Sequence, residues 1–206
     1  MLCVRRRPRQ VRPWASICAL FVPASVAVPG WACPRAPGRA GGSARRRRAG
    51  LLEQASHANR ALYQQFGGER FVTGQVLRLD VPGGTGAVVN AGHPLPRLVR
   101  SGRVEPIGLD ADLPLGVDPD AVYQVQRLTL EPGDRLVLLS DGVLEATPEG
   151  GSAYGASQLH ELLLGSRKLA PYEVARLVVQ DVIAHRAGDL ADDVTVVCLD
   201  WRGPAS

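Results

Sequence analysis

The sequence predicts an α+β fold in which helices pack against antiparallel sheets, and three features of its 206 residues support this prediction. An amphipathic helix opens the ordered part of the chain. Pairs of short β-prone segments joined by turns follow it, and two helices then precede a final strand. Because strands and helices do not alternate regularly, we do not expect a parallel sheet built from βαβ units.

The first helix is predicted from apolar residues that recur at three- and four-residue intervals, which is the pattern of a helix with one buried face. These residues are Leu51, Leu52, Ala55, Ala58, Leu62 and Phe66. Gly67 and Gly68 end the pattern, since glycine readily adopts the left-handed conformation that closes a helix.

The β-prone segments that follow are separated by turn sequences and are predicted to form antiparallel strands. They comprise residues 71–79, 87–90, 97–100, 103–107, 122–130 and 135–139. Helices are then predicted at residues 156–164 and 171–185, the second with Pro171 at its first position, where a missing N–H is tolerated. The β-branched run at residues 194–199 supplies the last strand.

Residues 1–50 differ in composition from the rest of the chain, because they hold eleven arginines, six prolines and no acidic residue. We interpret them as a disordered or misassigned segment, since out-of-frame translation of a GC-rich gene yields Arg, Pro, Ala and Gly. Two other interpretations have less support. The apolar run at residues 15–22 imitates a secretory signal but is soon interrupted by Pro23, and the Arg45–Arg48 cluster has no interleaved aromatics of a nucleic-acid site. Residues 51–206 are the predicted domain.

Composition also argues against several functional classes. The best apolar candidate for a membrane span, residues 15–34, is broken by prolines, so no span is predicted. Cys198 is the one cysteine within residues 51–206, which favours a reducing, cytoplasmic compartment over disulfides or zinc. The sequence has neither a Gly-rich nucleotide-binding motif nor the Gly-x-Ser-x-Gly motif of serine hydrolases, and we expect no nucleic-acid partner.

Acidic residues stand at the ends of two predicted strands, and each group has two interpretations. Asp141 and Gly142 follow the apolar strand at residues 135–139, where Asp-Gly is either a plain turn or a carboxylate that the backbone can approach closely. Asp192 and Asp193 precede the last strand. They are either solvated loop residues or part of a hard-metal site, because adjacent carboxylates repel unless a cation lies between them.

A third candidate, Asn90-Ala-Gly-His93-Pro94, also follows a predicted strand. A single histidine is more often a hydrogen-bonded scaffold residue than a ligand, and both roles stay open for His93. Taken together, these features place polar residues at strand ends, where carboxylates and water typically hold Mg²⁺ or Mn²⁺.

Six ordered motifs of the sequence resemble those of the SpoIIE/RsbU-like bacterial serine phosphatases, which belong to the metal-dependent type 2C protein phosphatase superfamily. The ordered motifs are Phe71-Val-Thr-Gly, Asn90-Ala-Gly-His-Pro94, Leu113-Pro-Leu-Gly-Val117, Pro132-Gly-Asp-Arg-Leu136, Ser140-Asp-Gly-Val-Leu-Glu-Ala146 and Asp192-Asp-Val-Thr-Val196. The resemblance covers about residues 51–202.

This resemblance implies an α-β-β-α sandwich and hydrolysis of phosphoserine or phosphothreonine on a regulatory protein, such as an anti-sigma-factor antagonist. It also implies a centre of two Mn²⁺ or Mg²⁺ ions that activates water and neutralises phosphoryl oxygens. Asp141 matches the metal-binding acid of the family's Asp-Gly motif, and Asp192 matches the acid of its final motif, with Asp193 beside it. The residues that would support these metal ligands are Asn90, His93, Gly142 and Glu145.

The sequence departs from the family at its start. The family's first strands carry acids in a Gly-Gly-Asp segment and an Asp-Val-x-Gly-His-Gly segment, whereas no Asp or Glu precedes Glu53 here. We therefore expect a sandwich that lacks its first strands and an incomplete metal cage. Two functions stay in competition: a phosphatase whose upstream sequence was lost to a wrong start, and an inactive fragment or phosphoprotein-binding module. A homodimer is also compatible with the sequence.

Limited trypsin digestion should cut after Arg45–Arg48 before it cuts within residues 51–206, because the first 50 residues are predicted to lie outside the fold. Mass spectrometry of the early fragments measures this order. Protection of Arg45–Arg48 equal to that of Arg135, in a predicted apolar strand, would contradict the predicted boundary.

Overall fold

The computed structural model describes residues 16–21 by their backbone, and residues 50–144, 154–185 and 194–204 with their side chains. Strands β1 to β8 are Ser16–Phe21, Gly74–Asp80, Thr85–Ala91, Arg97–Arg100, Arg103–Pro106, Gln126–Thr129, Arg135–Leu139 and Val196–Asp200. Helices α1 to α4 are Leu51–Phe66, Asp141–Leu144, Ala156–Gly165 and Pro171–His185.

The strands form two open, four-stranded antiparallel sheets. The first sheet has the order β1-β2-β3-β6, and the second has the order β5-β4-β7-β8. Helix α1 packs on the first sheet, while α3 and α4 cover the second. The predicted α+β class and the α-β-β-α sandwich are therefore confirmed.

Three apolar layers hold this arrangement together. Between the sheets lie Leu77, Leu79, Val88, Leu109, Leu128, Leu130, Leu136, Leu138 and Trp201. The layer under α1 contains Leu51, Ala55, Ala58, Leu62, Val72, Val76, Val89, Ala91, Leu115 and Tyr123. The layer under α3 and α4 contains Val99, Val104, Val137, Leu139, Val143, Tyr154, Leu159, Leu163, Val174, Val178 and Val182. Alternate residues of β2 and β7 thus face opposite layers, as the pleat of a strand requires.

Local sequence signals predicted most of the helices and strands correctly. Helix α1 ends at Phe66, and Gly67 follows with a φ of 63° while its N–H donates to the Tyr63 carbonyl at 2.7 Å. This is the left-handed closure that the glycine pair predicted. Helix α4 begins at Pro171 and ends at His185, as its sequence predicts. No helix among the described residues is long and apolar enough to cross a membrane.

The turn at Glu131–Asp134 joins the two sheets, because β6 pairs with β3 while β7 pairs with β4 and β8. Arg100 of β4 stabilises this connection: its guanidinium donates to the Asp134 carboxylate at 2.6 and 2.9 Å and to Glu131 at 2.8 Å. The predicted strand at residues 122–130 is shorter in the structure, where β6 covers only Gln126–Thr129.

Strand β1 is a correction to the prediction that residues 1–50 lie outside the fold. Ser16–Phe21 pairs antiparallel with β2, from Ser16 opposite Asp80 to Phe21 opposite Gln75. The apolar run that imitates a secretory signal therefore contains an edge strand, for which β2 supplies the backbone N–H and C=O partners. The domain boundary near residue 50 otherwise stays a prediction.

Arg135 connects the second sheet to the helices that cover it. Its side chain is 6% exposed and forms a bidentate pair with Asp200 of β8, at 2.6 and 2.9 Å. The same guanidinium donates to the carbonyls of Ser166 and Leu169, in the connection between α3 and α4. One buried cation therefore ties two strands and a helical turn together.

Replacing Arg135 by Ala should lower the free energy of unfolding by about 3–5 kcal/mol, because it leaves Asp200 and two carbonyls without their donor. Urea denaturation followed by circular dichroism measures this loss. Arg103→Ala, at an exposed position of β5, is the matched control and should change stability by less than about 0.5 kcal/mol. Equal effects of the two substitutions would contradict the structural role of Arg135.

Candidate metal site

Asp141 lies just beyond the end of strand β7. All five residues of β7 are buried, and the chain passes through the buried Ser140 into helix α2, which Asp141 begins. The Gly142 N–H donates to Asp141 Oδ1 at 3.0 Å, and the Val143 N–H donates to the Ser140 carbonyl at 3.1 Å. The carboxylate is half-buried. A fixed strand and a short helical turn thus hold Asp141 at the edge of the sandwich.

The beginning of β8 lies beside the end of β7. The Ser140 N–H donates to the Thr195 carbonyl at 3.0 Å, and the Thr195 N–H donates to Ser140 Oγ at 2.9 Å. These bonds extend the antiparallel pairing beyond Leu139 and Val196. The predicted ligands Asp192 and Asp193, and the predicted supporting residue Glu145, lie outside the described residues.

The Asn90–His93 turn is a buried polar structure between β3 and the following segment. Asn90 Oδ1 accepts the His93 N–H at 3.0 Å, and Gly92 has a φ of 68°, which a side chain would strain. His93 Nδ1 lies 3.0 Å from Thr73 Oγ1. Asn90 and His93 are 0% and 3% exposed. Both side chains therefore lie in the protein interior, which is where a hydrogen-bonded scaffold residue is expected.

Sequence reasoning missed Gln75 and Thr73, which complete this buried cluster. Gln75 is paired with Asn90 across β2 and β3, and its Nε2 donates to the Pro94 carbonyl at 3.1 Å and to Asn90 Oδ1 at 3.4 Å. The sequence signal was weak, because β2 also carries Arg78 and Asp80 and Gln75 did not stand out as a buried polar residue. Once buried, its amide must find hydrogen-bond partners. Gln75 Oε1 and Asn90 Nδ2 have no hydrogen-bond partner among the described residues.

The turn also links the first sheet electrostatically to Asp141. Burial lowers the pKa of His93 to about 4, while the charge of Asp141 and the carbonyl of Leu139 act in the opposite direction. His93 is therefore neutral at neutral pH and does not serve as a proton donor there. Its proximity to Leu139 and Asp141 shows that the ends of β3 and β7, from different sheets, meet at one place.

The described residues do not by themselves form a two-metal centre. Within residues 50–144, 154–185 and 194–204, no group of three or more His, Cys, Asp or Glu side chains is placed to hold a metal ion. Mg²⁺ requires six ligands in octahedral geometry, of which proteins usually supply one or two carboxylates. Asp141 can supply one.

Comparison with known proteins identifies relatives of this chain. A family model described as Stage II sporulation protein E (SpoIIE) matches residues 40–202. The chain is 25% identical to Protein IcfG of Synechocystis over 122 residues, which is 59% of this chain and 19% of IcfG. It is 30% identical to Stage II sporulation protein E of Bacillus subtilis over 92 residues, which is 42% of this chain and 10% of that protein. The matches thus span about a fifth and a tenth of these two relatives.

Solved structures show the same fold. The RsbU and RsbW domains of Rv1364c from Mycobacterium tuberculosis superpose with a TM-score of 0.65 at 23% identity, covering 78% of this chain and 44% of that chain. The PP2C phosphatase domain of SpoIIE from B. subtilis, solved with a fragment of its regulatory domain, gives a TM-score of 0.53 at 25% identity, covering 62% and 38% of the two chains. The sandwich described above is that of PP2C-type phosphatases.

The buried His93 should make stability fall in acid. The folded pKa of about 4 lies below the ordinary value of 6.5, so the unfolded chain binds a proton that the folded chain does not. The free energy of unfolding should therefore decrease as the pH falls from 6.5 through 4. The decrease should be about 3 kcal/mol at most.

Urea denaturation at several pH values, in the presence of a chelator, measures this dependence. His93→Gln should flatten it within this pH window, whereas His57→Gln, which changes an exposed histidine of α1, should preserve it. The same slope in both variants would show that another group titrates.

Proposed function

The chain belongs to the SpoIIE family, and on this basis we propose that it carries part of the active site of a metal-dependent protein serine/threonine phosphatase. The proposed substrate is phosphoserine on a regulatory protein of the bacterial cytoplasm, such as an anti-sigma-factor antagonist. One observation carries the proposal. The fold holds Asp141, the acid of the family's Asp-Gly motif, at the end of a buried strand and beside the beginning of β8.

The proposed ligands are Asp141, Asp192 and Asp193, with Glu145 and Gly142 supporting them. The hydrogen bonds between Ser140 and Thr195 favour this grouping, because Asp141 directly follows one of these residues and Asp192 and Asp193 closely precede the other. Mn²⁺ or Mg²⁺, when bound, supplies an activated water and neutralises the phosphoryl oxygens.

The protein's own residues orient the proposed ligand Asp141 and keep positive charge away from it. The Gly142 N–H orients the Asp141 carboxylate, and Gly142 adds no side chain of its own to the turn. Asn90 fixes the backbone of His93 by accepting its N–H. His93 in turn places a neutral ring, without a competing positive charge, near the acid that would bind a cation.

A second function, binding of the phosphoprotein without turnover, is favoured by the distribution of acids in this chain. No Asp or Glu precedes Glu53, so none can reach the site from the segment in which the family carries its upstream acids. A cage built from Asp141, Asp192 and Asp193 alone concentrates carboxylates on one side of a cation and should bind it weakly.

Enzyme assays on two forms of the protein distinguish these functions. The chain as given should hydrolyse a phosphoserine peptide or p-nitrophenyl phosphate barely above background in excess Mn²⁺, because its metal cage is incomplete. A form that restores the acidic upstream reading frame should gain activity. That activity should fall by orders of magnitude in Asp141→Asn and in Asp192→Asn, since each substitution removes a charge from the cage.

Glu105→Gln, which changes an exposed carboxylate of β5, is the control and should leave the restored activity unchanged. Strong Mn²⁺-dependent turnover by the chain as given, lost in Asp141→Asn, would show that the cage is complete. Restored activity that survives both aspartate substitutions would exclude this site as the catalytic centre.

A further inference from the structure

The segment between β5 and β6, residues 107–125, presents an apolar surface to solvent. We refer to it as the 107–125 loop. Eight large hydrophobic side chains are exposed among the described residues, and four of them belong to this loop. They are Leu113 at 50%, Val117 at 38%, Val122 at 83% and Val125 at 43% exposure. A fifth, Phe71 at 61%, lies next to Val72, which pairs with the loop. Large apolar side chains that one segment leaves exposed to water favour a partner that covers them.

Backbone hydrogen bonds hold this loop to the first sheet. Val72 and Leu115 exchange two of them, both at 2.8 Å, while Leu115 itself is fully buried. Asn59 of α1 adds two more, because its Nδ2 donates to the Asp118 carbonyl and its Oδ1 accepts the Gly116 N–H, each at 2.7 Å. The apolar side chains are therefore displayed from a fixed backbone, which lowers the entropy cost of binding.

The loop also contacts the turn that leads to the candidate site. The Asp112 N–H donates to the Asn90 carbonyl at 2.8 Å. A Cβ atom at Gly92 would lie 3.1 Å from Pro114 Cγ, so the turn and the loop are in close contact. A partner bound to the exposed residues around Pro114 would therefore sit beside the Asn90–His93 turn, which lies near Asp141.

The charge of the loop indicates the chemistry of that partner. It carries four aspartates and no Lys, Arg or His. The aspartates are Asp110, Asp112, Asp118 and Asp120. A loop that combines exposed apolar side chains with negative charge favours a partner segment of apolar and basic residues over an acidic one.

We propose that the 107–125 loop docks the phosphoprotein substrate, by binding a segment in which basic and apolar residues flank the phosphoserine. This inference rests on the proposed function, since it assigns the loop to the same site. It adds a sequence preference that the metal ligands cannot provide, because a metal centre contacts the phosphoryl group and carries no information on its neighbours.

The direct test measures binding without turnover, using the full chain in the presence of a chelator. The probe is a fluorescent phosphoserine peptide flanked by arginines and leucines, compared with a peptide in which glutamates replace the arginines. Anisotropy should show tighter binding of the arginine-flanked peptide. The double variant Leu113→Asp/Val122→Asp should weaken that binding about tenfold or more, as loss of an interface anchor does. Tyr172→Asp, on α4 and also highly exposed at 77%, should not weaken it.

A variant with altered loop charge distinguishes recognition of the peptide from a loss of loop stability. Asp110→Arg/Asp120→Arg changes two exposed aspartates whose carboxylates take no part in the hydrogen bonds of the described loop. This variant changes the formal charge of the loop from −4 to 0. It should abolish the preference for the arginine-flanked peptide while the apolar contacts still bind both peptides, which a destabilised loop would not do.

Three results would overturn the docking surface: equal affinity of the wild-type chain for both peptides, unchanged binding by the Leu113→Asp/Val122→Asp variant, or a dimer in sedimentation velocity that this variant dissociates. Failure of the proposed function is separate, because the assay requires no turnover. If the form with the restored upstream reading frame bound the arginine-flanked peptide but did not hydrolyse it in excess Mn²⁺, the phosphatase assignment would fail and the docking surface would stand.

Discussion

Burial of strand β7 on both faces is the constraint on which the rest of the structure depends. Leu136 and Leu138 point into the layer between the sheets, while Val137 and Leu139 point into the layer under α3 and α4. A shift of one residue would exchange these faces and place Arg135 in the wrong layer. The register of β7 is therefore firmly determined, and with it the position at which the chain leaves the sandwich as Asp141.

The buried polar cluster at the same end of the sandwich has a measurable cost. A buried donor or acceptor without a partner costs about 1–3 kcal/mol, and both Gln75 Oε1 and Asn90 Nδ2 lack one among the described residues. An apolar pair at these positions would pack without that penalty. The two amides instead shape the Asn90–His93 turn through their hydrogen bonds. This turn lies where the first sheet approaches Asp141, which follows a strand of the second sheet.

Asp141, a proposed metal ligand, and the 107–125 loop, the proposed docking surface, lie in different parts of the fold. Asp141, which matches the family's Asp-Gly motif, directly follows β7 and Ser140, whereas the exposed apolar residues lie on a loop anchored to the first sheet and α1. The Asn90–His93 turn contacts the second of these regions and lies near the first. In the proposed site, each sheet would therefore supply one part, and the packing of the two sheets brings these parts together.

The sequence alone determined the elements whose signals are local. The bounds of α1 and α4 follow from apolar periodicity, a glycine closure and Pro171, and the place of Asp141 follows from a short apolar strand ended by Asp-Gly. Tertiary structure decided what depends on distant partners. Ser16–Phe21 became a strand because β2 offered it an edge, and β6 and β7 joined different sheets although one turn connects them. Gln75 became part of the buried polar cluster only through Asn90 and Pro94, since a buried amide must be paired with groups that other segments bring to it.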